Sequence, residues 1–237
     1  MKNTQSNPET KKLVAAQGAR LIEDGMVAGI GTGSTMAFLI EELARRVRDE
    51  GIKIVGVPTS FQSRILCMKL GIPVRDMQDT ASLDLAIDGA DEVDPSLDLI
   101  KGGGASQTRE KIVASMARDF VVIVDESKLV DKLGSTFAIP VEVLPAALAY
   151  VERAIRELGG DPNLRIGLRK DGPVVTDNGN LLFDVRFPPA ADLRSVDQAL
   201  HAIPGMIETG LFFGTAKKVL VGGGTAAQPT LKTLTRG

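Results

Sequence analysis

The sequence predicts an α/β fold, a parallel sheet flanked by helices and interrupted by a smaller α+β unit, and three observations predict it. From residue 26 to residue 125, short apolar runs alternate with segments of helical periodicity, which is the pattern of a parallel sheet with helices on both faces. Beyond Gly134 the order becomes strand, helix, strand, strand, helix, strand, the split βαβ arrangement of a compact α+β unit. The apolar stretch Val219, Leu220 and Val221 then returns as a strand able to rejoin the first sheet. The expected organisation is therefore a Rossmann-like domain of residues 1–134 and 211–237, with a ferredoxin-like domain, residues 135–210, inserted into it.

Taken in order, Pro8, Glu9 and Thr10 followed by Leu13, Val14, Leu21 and Ile22 predict a capped amphipathic helix ending at Gly25. Residues 26–30 form a short buried strand that runs directly into Gly31, Thr32, Gly33, Ser34 and Thr35. Met36, Leu39, Ile40, Leu43 and Val47 then recur at helical spacing. A loop of glycines and hydroxyls between a strand end and a helix start binds anions by construction. The first-turn amides have no intrahelical partner, and the helix dipole adds positive potential there. No lysine follows Gly33 at the spacing a nucleoside-triphosphate loop needs. The dinucleotide fingerprint is poor too, since Ser34 stands where a third glycine is wanted and Val57-Pro58 ends the next strand where an acidic ribose ligand belongs. A small phosphate monoester fits better. The competing reading is a tight strand-to-helix turn with Ser34 or Thr35 as N-cap.

Residues 52–57 read as a second strand, a helix follows from about Ser60 to Leu70, and residues 83–87 form a third strand delivering Asp88 at its carboxyl end. In an open α/β sheet that edge is where ligands bind. From Asp88 to Glu110 the chain packs two carboxylates three residues apart (Asp88, Asp91), Lys101 opening the triplet Gly102, Gly103 and Gly104, and Glu110. Consecutive glycines bury nothing, so the triplet suggests positive φ or amides brought close to a ligand. Ile112, Val113, Met116 and Ala117 mark the helix that carries Glu110 near its first turn. Residues 120–125 form a fourth strand, with Lys128 just beyond its carboxyl edge. Each feature has a plainer reading. Asp91, Glu92 and Asp94 would be a solvated acidic turn, Glu110 a complement to the helix dipole, and Lys128 a solvated loop lysine.

In the second unit, strands are expected at 137–143, 164–168, 181–185 and 206–210, and helices at 146–158 and 193–203. Its acids and bases are scattered, and His201, the only histidine, lies on the second of these helices.

Composition narrows the function. The 237 residues can bury a sizeable core, and 43% hydrophobic with 24% charged residues is ordinary for a soluble globular chain. With 28 basic against 30 acidic residues the net charge is −2, so no basic excess invites nucleic acid or an anionic membrane. The polar start MKNTQSNPETKK has no signal-peptide core and no apolar run approaches a membrane span, so a cytoplasmic protein is expected. Cys67 has no second cysteine for an internal disulfide, and with His201 alone it builds no Cys/His metal site. Set among Ile65, Leu66 and Met68, it reads as a packed thiol.

Four segments, GIGTGST at 29–35, DGADEVD at 88–94, KGGGASQTREK at 101–111 and DESKLVDKLG at 125–134, together resemble ribose-5-phosphate isomerase of type A. TDNGN at 176–180 and IPGMIETGLF at 203–212 resemble the second domain of that family, and the tail after Val221 matches least. The resemblance implies interconversion of ribose 5-phosphate and ribulose 5-phosphate in the non-oxidative pentose phosphate pathway, without cofactor or metal, by a homo-oligomer, dimer or tetramer. It carries the proton-transferring glutamate onto Glu110. Sugar and phosphate contacts fall on Thr32, Gly33, Ser34 and Thr35, on Asp88, Gly89, Ala90 and Asp91, on Lys101, Gly102, Gly103 and Gly104, and on Lys128.

The chemistry of these residue types agrees. Moving a carbonyl between C1 and C2 needs a base that takes a proton from one carbon and returns it to the next, and one desolvated carboxylate on one face of a cis-enediolate does both. Lys101 and the glycine amides would supply fixed positive potential for the enediolate oxygen. Asp88 and Asp91 would open the furanose ring and move hydroxyl protons. A metal-assisted hydride shift, with Asp88, Asp91 and Asp94 holding a divalent cation, is the competing mechanism, against which Lys101 claims the same space and no histidine is near. Two rival functions are a sugar-phosphate sensor, which has no use for Glu110 and Lys101, and an enzyme of amino-sugar phosphates or coenzyme A thioesters. A deaminase of that kind would be expected to use a histidine in its site, where His201 is badly placed.

Overall fold

The computed structural model describes residues 7–169 and 171–236. It divides into two compact units, one of Met1–Ala90, Arg109–Leu129 and Gly214–Gly237, the other of Asp91–Thr108 and Val130–Phe213.

The first unit is built on a six-stranded sheet in the order Pro229–Thr235, Lys218–Gly224, Ala117–Asp125, Leu83–Asp88, Val27–Ile30, Val55–Pro58. All pairs are parallel except the edge strand Pro229–Thr235, which runs antiparallel to its neighbour. From Val27–Ile30 the chain steps to Val55–Pro58 on one side and then crosses to Leu83–Asp88 on the other. The sheet therefore has its topological switch point between Val27–Ile30 and Leu83–Asp88, and open α/β sheets bind ligands outside the carboxyl ends of the strands at such a point.

The core explains the helices. Helix Ser34–Asp49 turns Met36, Leu39, Ile40 and Leu43 inward, where they meet Val14, Ile22, Ile30, Ile87 and Ile123. Each such side chain contributes about 1.5–3 kcal/mol by leaving water. The first helix spans Pro8–Ala19, with Asn7 as N-cap accepting from the Glu9 amide at 3.0 Å. It stops short of the expected Gly25: the chain turns after Ala19 with Ile22 still buried, and the Arg46 guanidinium takes the carbonyls of Ala19 and Ile22 left over at that end. Lys218–Gly224 rejoins the sheet beside Ala117–Asp125, as expected.

The second unit holds a four-stranded antiparallel sheet in the order Met206–Thr209, Ile139–Val143, Leu181–Arg186, Asp161–Leu164. Helices Leu148–Glu157 and Leu193–His201 contribute Val151, Ile155 and Leu200 to one core with Ile139, Val141, Val143, Phe183 and Val185. This is the expected split βαβ order. One strand falls elsewhere than predicted: it is Asp161–Leu164, not 164–168, and Leu168 is fully exposed. Gly159, at φ 82°, turns the chain out of the helix and straight into pairing with Leu181–Arg186, so the strand starts early.

A small antiparallel sheet of Leu211–Phe212, Leu99–Ile100 and Glu92–Val93 completes this unit. That pairing draws residues 91–108 into the second unit, whereas the sequence reading placed them with residues 1–134. Glu92 is no solvated acid either. It is fully buried, one carboxylate oxygen accepting from the Thr136 amide and hydroxyl and the Phe137 amide, the other from the Gly134 amide, all at 2.6 Å. No helix among the described residues is long and apolar enough to cross a membrane.

Candidate active site

In the first unit, the 31–35 loop leaves strand Val27–Ile30 and Asp88 ends strand Leu83–Asp88, the two strands flanking the switch point. The Asp88 carboxylate, 2% exposed, accepts from the Thr32 amide at 3.1 Å and the Gly89 amide at 2.7 Å. It fills the space beside Gly31 so closely that a Cβ there would lie 2.0 Å from Asp88 Oδ1. Gly33, at φ 119°, is the N-cap of helix Ser34–Asp49 and offers no side-chain cap. Neither Ser34 nor Thr35 is the N-cap, contrary to the plain-turn reading, which had placed one of them there.

The loop is braced from behind. Thr32 Oγ1 donates to Ser60 Oγ at 2.6 Å and lies 2.8 Å from Thr59 Oγ1. Ser60 is N-cap of helix Phe61–Lys69 in a capping box with Ser63, and Arg109 Nε donates to the Thr59 carbonyl at 3.2 Å. On the other side, Lys11 Nζ donates to Ser34 Oγ at 2.9 Å. The arrangement presents orphan amides, hydroxyls and an ammonium together, a donor set suited to phosphate oxygens.

Glu110 lies in the first turn of helix Gln107–Met116 and is only 4% exposed, so it does not merely decorate the helix dipole in water. Lys128 closes the 3₁₀ turn Glu126–Lys128, capped by Asp125, directly beyond strand Ala117–Asp125.

In the second unit, Asp91 and the 101–104 turn form a second hydrogen-bonded piece. Asp91 accepts from the Gly103 amide at 2.7 Å, and a Cβ on Gly103 would lie 2.7 Å from the same carboxylate. Gly102 has φ 103°, and its carbonyl accepts from Arg165 Nη1 at 2.9 Å. Lys101 is 2% exposed, with its ammonium 5.5 Å from the centre of the Phe212 ring, close enough for a cation–π attraction. Asp94 stands apart. It holds the 94–98 turn, accepting from the Ser96 and Asp98 amides at 2.9 Å each, and burial pushes its carboxyl above the usual carboxylate range. Among the described residues, no group of three His, Cys, Asp or Glu is arranged to hold a metal ion.

Sequence reasoning missed Lys11, Thr59, Ser60 and Phe212. Lys11 had a signal: it shares a helical face with Val14, Ala15 and Gly18, all buried, and a lysine there is out of place in a purely structural stripe.

Residues 55–226 match the model of the family described as ribose 5-phosphate isomerase A (phosphoriboisomerase A). The chain is 55% identical over 225 residues to ribose-5-phosphate isomerase A of Thermosynechococcus vestitus, covering 94% of this chain and 95% of that one. The solved ribose 5-phosphate isomerase A of Methanocaldococcus jannaschii superposes with TM-score 0.90 at 48% identity over 97% of this chain and all of its own. A D-ribose-5-phosphate isomerase in complex with phospho-erythronic acid gives TM-score 0.92 at 42% identity over 98% and 100% of the two chains. A sheet whose switch point carries a glycine- and hydroxyl-rich loop pinned by an aspartate, and likeness of this extent, lead to one assignment: the chain belongs to the ribose 5-phosphate isomerase A family.

Proposed function

We propose that the chain interconverts D-ribose 5-phosphate and D-ribulose 5-phosphate, with Glu110 carrying the proton between carbons. Glu110 takes the proton from C2 of the open-chain aldose and returns it to C1 of the cis-enediolate, while the hydroxyl proton on O2 passes to O1. Atoms and electrons balance within the one substrate. Asp88 and Asp91 open the furanose ring and move the hydroxyl protons. Lys101 and the amides of Gly102, Gly103 and Gly104 offset the charge that develops on the enediolate oxygen. Thr32, Gly33, Ser34 and Thr35, with Lys11 and Lys128, hold the phosphate, and the backbone of Gly89 and Ala90 contacts the sugar. As the family resemblance implies, we place the enzyme in non-oxidative pentose phosphate metabolism, as a homo-oligomer whose size light scattering measures, and, from its polar amino-terminal sequence and the lack of an apolar run of membrane-span length, in the cytoplasm.

The observation that carries this reading is the single hydrogen-bonded piece at the switch point. The carboxylate assigned to proton movement, Asp88, is the group that fixes Thr32 of the anion loop. Gripping the phosphate and handling the ring end thus draw on one rigid assembly, as near-attack positioning requires. A phosphorylated sugar acid, the ligand named for one neighbour, has a planar carboxylate with the shape and charge of an enediolate.

The test is ribose 5-phosphate turnover in D2O, with and without a chelator. Deuterium at C1 of the ketose is the expected result. Complete retention of the original hydrogen, with loss of rate under chelation, would overturn proton transfer in favour of a hydride shift. Glu110→Gln should lower kcat on the order of 10³-fold with KM little changed. Full activity in that variant would refute the base.

A further inference from the structure

Glu142 is a buried acid that the reaction leaves unused. It stands on strand Ile139–Val143, where Ile139, Val141 and Val143 join the core and Pro140 and Glu142, by strand alternation, take the opposite face. Its exposure is 0%. One carboxylate oxygen accepts from the Thr176 hydroxyl at 2.7 Å, the Asn180 side-chain amide (Nδ2) at 2.9 Å and the Asn178 side-chain amide (Nδ2) at 3.1 Å; the other accepts from the Thr108 hydroxyl. A carboxylate has room for about four such bonds. The set is complete, and every donor in it is neutral.

Stability alone does not call for this. A charge out of water without a counter-ion is costly, and an apolar side chain of similar volume usually serves a fold as well. What the arrangement achieves is placement. Thr108 is the second residue of helix Gln107–Met116, and Glu110 lies in the same turn. The 176–180 loop at the other end of the network is tight: the Thr176 hydroxyl accepts from the amides of Asn180 at 3.2 Å and Asn178 at 3.3 Å, and Gly179 turns at φ 82°. The residues that close the loop are the ones aimed at Glu142.

We propose that Glu142 is a positioning residue for the isomerisation, fixing through Thr108 the helical turn that aims Glu110. This rests on Glu110 being the base. Thr108→Val removes one hydroxyl at nearly constant volume, and we expect kcat to fall about tenfold with KM within about twofold, because a small misplacement of a reacting group is costly in rate. The melting temperature should also fall, since one oxygen of the buried Glu142 carboxylate loses its donor, but the variant should stay folded at assay temperature. Thr108→Ser, which restores the hydroxyl, should recover most of that loss. Glu142→Gln should lower kcat at least as far, and adding Thr108→Val to it should cost little more, since both act through one bond. If Glu142→Gln does not fold, the Thr108 pair decides alone. Wild-type kcat in folded Thr108→Val, while Glu110→Gln is inactive, would overturn the positioning role and leave the base standing. An active Glu110→Gln would overturn the base and this role with it.

Discussion

The 31–35 loop of the first unit and the 101–104 turn of the second use the same device to different ends. In each, an aspartate side chain accepts a backbone amide of the turn and occupies the space beside a glycine: Asp88 with Thr32 and Gly31, Asp91 with Gly103. Beyond that they diverge. The first turn opens a 16-residue helix and gathers hydroxyls, with Lys11 reaching it from another helix. The second carries its cation in line, as Lys101, buried against Phe212. Many weak donors at a helix start suit the spread charge of a phosphate, which is bound equally in ground and transition states. A single desolvated cation suits charge that exists only while the reaction crosses its barrier, since its field is strongest where water is excluded.

That contrast predicts opposite kinetic signatures. Lys101→Met should lower kcat by roughly 10²–10³-fold with KM changed only modestly, the pattern of an interaction made in the transition state. A rise in KM with kcat intact would move Lys101 into the phosphate site and erase the distinction. Steady-state rates at saturating and limiting ribose 5-phosphate decide it.

Glycine replacements sharpen the comparison from the structural side. Gly31→Ala would place a methyl 2.0 Å from Asp88 Oδ1, an atom on a short, buried side chain that already holds two amides. Nothing there can yield cheaply, so a loss of about 1–3 kcal/mol in urea unfolding is expected, with a large fall in kcat/KM. Gly103→Ala meets the Asp91 carboxylate at 2.7 Å, so that carboxylate must move, and because Asp91 is only half-buried it can do so more cheaply than Asp88. Its cost should stay under about 1 kcal/mol. Equal losses at the two positions would mean that the two aspartates are held alike.

Smaller still is the effect expected at Ser34 if the 31–35 loop holds the phosphate as proposed. Ser34→Ala removes one hydroxyl among several donors, so KM should rise several-fold, about 1 kcal/mol of uniform binding, with kcat preserved.

What the sequence revealed and what it hid follow from the range of the contacts. The loop, Asp88 and Glu110 were legible because strand end, turn and helix start are written in consecutive residues. Glu92 and Glu142 were not, since their partners lie 42–45 and 34–38 positions away, and an acid in a turn or strand looks the same in sequence whether solvated or buried. The edge strand Pro229–Thr235 went unseen because its residues are almost all exposed and so carry no apolar alternation. The Asp161–Leu164 strand begins with Asp-Pro, which reads as a turn, yet on a sheet edge a proline needs no partner for its missing amide proton.

Cys67 offers the finest probe of the first turn, because it is fully buried in the core beneath it together with Met36, Leu39 and Ile40. Burial pushes its thiol from the ordinary 9.0 up to about 12. The sign follows from linkage: the unfolded chain releases this proton near pH 9.0 and the folded chain only near 12, so the group's contribution to stability is complete below 9.0 and is lost as pH rises toward 12. At neutral pH the native thiol should react with a disulfide reagent only through opening of the core, far more slowly than in urea. Gly31→Ala, which disturbs the turn above this core, should speed that labelling several-fold, whereas Gly103→Ala, in the other unit, should leave it unchanged. Acceleration by both would show that the two turns are not energetically separate, and their likeness would then count for more than their difference.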